Sequence, residues 1–212
     1  MNNQEALVFY KELAEKNYSQ NSVKLAKNTD YTKIDADFIL KYADLNSLVL
    51  DLGSGTGLIV NKMYDKIGRV VCVENFKQFS KFIVQAPNVE IINCNISDYE
   101  PTEKFDVITM FGFMHYFNEM EATEIYQKIY NQCLKDKGVI IVKNQFGLKE
   151  DVTVSGYSEE QKTNYYSQYR YIHKEVGILK KIGFHDVEIF DIYPPNANRW
   201  SNTHFYAIVG KK

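Results

Sequence analysis

Ser47-Leu48-Val49-Leu50-Asp51-Leu52-Gly53-Ser54-Gly55-Thr56-Gly57 decides the architecture. It opens as a short continuous apolar run, the pattern of a strand buried on both faces of a parallel sheet. It closes in a glycine-rich turn, and helical spacing follows from Leu58 to Lys66. In open α/β sheets ligands bind at such a strand's carboxyl end. Gly53 and Gly55 admit backbone conformations closed to other residues and remove the Cβ atoms that would hold a ligand away. A bare strand–helix turn needs one glycine, and this one has three in alternation.

Outward from this turn the alternation repeats. Residues 69–74, 89–93, 105–110 and 137–142 read as strands, and 76–84 and 118–134 as helices. Strands alternating with helices of this length imply right-handed crossovers and a parallel, doubly wound sheet. The rhythm breaks after residue 144. A polar, tyrosine-rich stretch covers 145–169, with Tyr165 and Tyr169 at the i, i+4 spacing of a helix. A helix over 171–182 ends at Gly183, and two strands, 185–192 and 203–209, close the chain around Pro194-Pro195 as an antiparallel pair. Amphipathic helices over 4–16 and 33–43 precede the core. The expected fold is a Rossmann-like, doubly wound, seven-stranded sheet, mostly parallel with one antiparallel edge strand. Helices cover both faces and a small helical cap leads the chain. The 212 residues read as one domain: cap 1–45, cofactor core 46–144, acceptor-side insertion and helix 145–183, terminal antiparallel strands 184–212.

The charges nearly cancel, 25 Lys+Arg against 27 Asp+Glu, which argues against a nucleic-acid partner. Cys72, Cys94 and Cys133 form no paired motif, so a zinc ribbon or redox dithiol is disfavoured, and reduced thiols are expected. No histidine and acid pair shows metal-ligand spacing. The residues after Met1 lack a signal peptide's basic and apolar regions, and no run approaches the ~20 apolar residues of a membrane span. A soluble, cytoplasmic protein acting on a small molecule is the expectation.

The turn misses two common nucleotide motifs. A dinucleotide fingerprint needs glycine where Leu58 stands, and no Gly-Lys-Ser/Thr follows for a P-loop. Gly53-Ser54-Gly55-Thr56-Gly57 with Asp51 two residues ahead resembles motif I of the class I S-adenosylmethionine-dependent methyltransferases. That resemblance spans about 47–144, and the two terminal strands agree with it. It implies that Glu74, ending the second strand, accepts hydrogen bonds from both ribose hydroxyls, for which an acceptor-only carboxylate is suited. Asn75 follows it. Asn95 and Ile96 would border the adenine, Asn95 standing where the family commonly has Asp, with Asp98 as a possible substitute. Phe111 and Tyr18 complete the cofactor set with Asp51, Ser54 and Thr56.

The implied reaction is transfer of a methyl group from S-adenosylmethionine, leaving S-adenosylhomocysteine, to a small polar acceptor, a hydroxyl oxygen foremost. A sugar, or another precursor of a surface glycan or secondary metabolite, would suit it. A hydroxyl must lose its proton, and His115, just past the fourth strand, is the candidate base. Tyr166, Arg199, Trp200 and His204 join His115 as candidate acceptor contacts, Arg199 because its planar fork suits an anionic group. Two alternatives stand beside this reading: a nicotinamide-dependent oxidoreductase, and a non-catalytic cofactor-binding partner of the same fold.

Overall fold

The computed structural model describes residues 3–16, 19–23, 30–158, 163–198 and 200–212. Five strands run parallel: β1 (Leu48–Leu52), β2 (Arg69–Val73), β3 (Val89–Ile92), β4 (Phe105–Phe111) and β5 (Leu134–Gly147). With β8 (His185–Phe190) and β9 (Thr203–Lys211) they form one sheet in the order β3-β2-β1-β4-β5-β9-β8. The order reverses beside β1, so the crevice above β1 and β4 is the switch point where such sheets bind ligands. The antiparallel strand of the expected edge is β9, which pairs with β5 along Val139–Gly147 and on its other side with β8.

Both faces are covered, unequally. On one, α4 (Glu119–Lys128) and α5 (Ile172–Ile182) bury Ala122, Ile125, Tyr126, Val176 and Leu179 against Leu50, Ile108, Met110 and Ile140. A capping box starts α4: the Asn118 side chain accepts from Glu121 N–H, and Glu121 accepts from Asn118 N–H. On the other face α2 (Thr32–Ile39) places Ala36, Phe38 and Ile39 against Val49, Val70 and Val107. α1 (Asn3–Glu15) lies across the carboxyl ends of the strands, near α3 (Lys77–Ser80) and the residues after β4.

Four local expectations need correction. The helix expected over 58–66 is two 3₁₀ turns, Val60–Lys62 and Tyr64–Lys66. Side chains from elsewhere hold these turns: the Asn88 amide donates to Tyr64 O and Ile67 O. Asn61 meanwhile bonds outward, donating to Phe82 O and accepting from Val84 N–H. The helix over 76–84 shrinks to α3, and that over 118–134 ends in a π-helical turn, Ile129–Cys133. The tyrosine-rich stretch is an antiparallel hairpin, β6 (Val152–Ser158) with β7 (Thr163–Tyr169), so Tyr165 and Tyr169 are strand residues. Polar alternation, Tyr166 then Ser167 then Gln168, carries period two as readily as a helical spacing.

Cys72 and Cys133 are buried and Cys94 half-buried, all free. Desolvation raises each thiol above its ordinary pKa. No described helix is long and apolar enough to cross a membrane.

A buried ion pair joins the cap to the sheet. Lys143 of β5 donates to Asp35 of α2 (3.1 Å) and to the Tyr193 hydroxyl (2.9 Å), which itself donates to Asp35 (2.7 Å). The ammonium also lies over the rings of Phe111, Tyr193 and Phe205. Removing one member strands the other charge. Lys143→Met is therefore expected to cost about 3–5 kcal/mol in urea unfolding, and adding Asp35→Leu to recover most of it.

Candidate functional site

The turn after β1 uses its three glycines differently. Gly53 (φ +72°) would drive a Cβ to 2.6 Å from the Phe113 ring, and Gly57 (φ +72°) to 2.9 Å from Ile83. Gly55 (φ +55°) has nothing within 4 Å of where its Cβ would be, so its bare backbone faces open space. That is the cradle a ligand needs for close approach.

Glu74 fastens the turn to the end of β2. One carboxylate oxygen accepts from Gly55 N–H and the other from Phe76 N–H, both at 2.9 Å. Desolvation raises its pKa against these backbone donors. The Asn75 N–H also bonds this carboxylate, and since a carboxylate offers about four acceptor positions, some capacity is left for a donor from a ligand. Under the turn, Asp51 is buried and accepts from Thr109 Oγ1 at 2.6 Å; burial raises its pKa to about 6.

A cleft of about 270 Å³ opens over this turn. Of the residues anticipated from sequence, Gly53, Gly55, Glu74, Asn75, Asn95, Ile96 and Phe111 line it. Aromatic rings supply most of the rest: Tyr10, Phe76, Phe79, Phe113, Tyr116 and Phe117, with Leu7. A second hollow of about 280 Å³ adjoins it, sharing Ile96 and Phe117 and reaching Tyr99, Ile125 and Cys133. Its position beyond Asn95 and Ile96 gives the cleft depth on the β3 side.

Other anticipated residues serve the framework. Ser54 Oγ donates to Asp51 O (2.9 Å), and Gly57 packs on Ile83. Thr56 is buried and faces the amino-terminal segment, in a reciprocal pair: its hydroxyl donates to Gln20 O (2.7 Å), and the Gln20 amide donates to Thr56 O (3.1 Å). The Asn95 oxygen meant for an adenine amino group already accepts from Ser97 N–H at 3.0 Å, capping the turn Ile96–Asp98; one lone pair is left. Asp98 is exposed and outside the lining.

His115 stands in a turn, Met114–Tyr116, that carries the cleft residues Phe113, Tyr116 and Phe117 around it. Its Nδ1 lies 3.4 Å from Asn144 Oδ1, and its ring 3.9 Å from that of Tyr116 and 5.5 Å from that of Tyr169. Desolvation lowers its pKa to about 3, so the imidazole is neutral across the physiological range. Asn144, 2% exposed, keeps its amide nitrogen unpartnered. That orphan donor is the kind of buried group a polar ligand satisfies.

His115 itself does not line the cleft, although its neighbours do, and the other acceptor candidates do not converge with it. His204 is buried with both ring nitrogens engaged, by Asn198 and by Asp191, and braces the loop between β8 and β9. Trp200 is an exposed loop residue, and Tyr166 is half-buried in β7. None of the three lines the cleft. Tyr18 and Arg199 lie outside the described residues. No cluster of three metal-ligating side chains occurs among the described residues. Sequence reading missed the aromatic wall, because Phe and Tyr spaced through an α/β core look like core; only the switch-point geometry separates them.

The fold and this cleft define an α/β protein with an open, glycine-lined cleft at the switch point of its sheet. A family model for a methyltransferase domain matches residues 49–138. Among solved structures, DhpI in complex with S-adenosylhomocysteine aligns with TM-score 0.73 at 13% identity, over 98% of this chain and 95% of that one. A Burkholderia thailandensis 1,6-didemethyltoxoflavin N1-methyltransferase aligns with TM-score 0.70 at 14%, over 100% and 91%. Haemonchus contortus phosphoethanolamine N-methyltransferase 1 aligns with TM-score 0.75 at 15%, over 99% of this chain and 48% of that one. Among curated proteins none matches. By its fold the chain is similar to solved S-adenosylmethionine-dependent methyltransferases, and its methyltransferase-domain match spans residues 49–138. The open cradle at Gly55 and the acceptor capacity left on Glu74 fit a group such as S-adenosylmethionine.

Two outcomes follow from this geometry. Glu74→Ala should remove most of the thermal stabilisation given by S-adenosylhomocysteine, since hydrogen bonds to a charged group are worth about 1.5–3 kcal/mol each. For His115 the folded pKa, about 3, lies below the unfolded value near 6.5. The unfolded chain therefore binds the extra proton first, and this group's contribution is intact above pH 6.5 and lost as pH falls towards 3. His115→Asn should flatten the decline in urea stability between pH 7 and pH 5.

Proposed function

We propose that this enzyme methylates a small polar acceptor, a hydroxyl oxygen foremost, such as that of a sugar or of a glycan or secondary-metabolite precursor. The observation that carries the reading is the pairing of neutral His115 with Asn144 in the turn that borders the cleft. The cofactor supplies an activated methyl group when bound. Glu74 and the Gly53–Gly57 backbone hold its ribose and neighbouring atoms, and Asn95 and Ile96 border its base. The aromatic wall excludes water and restricts the approach of the acceptor, and positioning of this kind can remove about 7–11 kcal/mol of barrier.

A hydroxyl grows more acidic as its oxygen gains the methyl, so the imidazole has to take the proton only late in the reaction. His115 with its lowered pKa is a weak base in the ground state, and the rate should show no inflection near pH 6.5 from this residue.

One observation favours a second acceptor type. An imidazole so reluctant to be protonated also suits a neutral nitrogen, which needs no base to attack. Two structural neighbours are named as N-methyltransferases.

The test is a thermal-shift panel with S-adenosylmethionine, S-adenosylhomocysteine, NAD and NADP. The first two should stabilise the protein by about 2.7 kcal/mol at a hundredfold excess over Kd, and the nicotinamides should leave Tm unchanged. Stabilisation by a nicotinamide alone would overturn the reading. Methyl transfer to hydroxylated and amino acceptors, with the product bond assigned by NMR, then separates oxygen from nitrogen.

A further inference from the structure

A charge cluster stands behind the turn that follows β4, on the side away from the cleft. Arg170 and Glu175 are 3% and 0% exposed. The guanidinium Nε and Nη2 donate to the two oxygens of Glu175, and the Tyr126 hydroxyl donates to the same carboxylate. A buried pair of this kind is weak evidence for stability, because apolar residues of similar volume often serve as well.

The rest of the fork is better explained. Arg170 Nη1 donates to Phe117 O at 2.6 Å, and Nη2 to Met114 O at 3.0 Å. Those carbonyls flank the turn that holds His115 and Tyr116. A planar group with several fixed donors spans both while still gripping a carboxylate, which an ammonium cannot do. On the opposite side of the turn, Tyr116 and Phe117 line the cleft, and Phe117 divides it from the adjoining hollow. Arg170 also follows Tyr169 at the end of β7, and its carbonyl accepts from Gly147 N–H at the end of β5 (2.9 Å). One residue, through its side chain and its carbonyl, therefore ties the hairpin, β5 and α5 to the wall of the cofactor cleft.

We infer that Arg170 is a positioning residue for the cofactor: held by Glu175, it sets the Met114–Phe117 turn and so the placement of Tyr116 and Phe117 against the bound nucleoside. This rests on the S-adenosylmethionine reading above. The test compares S-adenosylhomocysteine affinity by calorimetry with Tm in three variants. Arg170→Met/Glu175→Leu/Tyr126→Phe removes the cluster without leaving a buried charge. Arg170→Lys keeps the charge but not the fork, and Tyr126→Phe alone keeps the fork.

The triple variant, folded, should bind at least about tenfold more weakly, since small misplacements carry large penalties. Arg170→Lys should fall between it and the parent, and Tyr126→Phe should match the parent. Amide exchange at 114–117 should quicken wherever affinity falls. A folded triple variant that binds as tightly as the parent overturns the inference. Should the triple variant not fold, Arg170→Lys with unchanged affinity and exchange overturns it equally. A parent that binds no S-adenosylhomocysteine overturns the cofactor reading, and this inference with it; that outcome is distinct from a parent that binds beside variants that bind equally.

Discussion

A single carboxylate holds the cleft open. Glu74 bonds the backbone of Gly55 on one side and of Phe76 on the other, so the turn after β1 and the exit from β2 have a fixed separation. Everything above the sheet is measured from that bridge. The glycines let the turn lie low, with one pressed under Phe113 and one against Ile83, and the third is left bare towards a ligand. A longer side chain at Gly53 or Gly57 would lift the turn, and the carboxylate would then no longer reach it.

The wall opposite is built less economically. Two buried ion pairs, Lys143 with Asp35 and Arg170 with Glu175, stand on opposite faces of the sheet near the upper end of β5. One ties the amino-terminal cap to the sheet and the other ties the hairpin to the turn after β4. Both join segments that the parallel core does not itself specify. The charge that hydrophobic burial would exclude is placed where a segment needs one orientation and not merely a dry surface.

The core was legible because its signals are local. A continuous apolar run and a glycine turn, repeated crossovers and an acid at the end of the second strand each follow from a few neighbouring residues. Gly53, Gly55, Glu74, Asn75, Asn95 and Ile96, all singled out from sequence, therefore line one cleft. Three kinds of feature were not legible in this way. Where a helix is expected after Gly57 stand two 3₁₀ turns held by Asn61 and Asn88, each bonded to partners over twenty residues away. The hairpin of β6 and β7 has tyrosines whose spacing satisfies two periods at once. Arg170, Asn144 and Tyr10 act through partners 29 to 106 positions distant in the chain, a relation no local pattern encodes. His204, rich in polar neighbours along the sequence, is saturated by them in space and so has nothing left to offer an acceptor.

The distribution of the three thiols has a practical side. Cys72 and Cys133 are sealed in the core, whereas Cys94 is half-buried and directly precedes Asn95 at the rim of the cleft. A maleimide dye at mildly alkaline pH would meet that sulfur first. Its fluorescence would then follow the arrival of a nucleoside from one residue away, with no engineered attachment point.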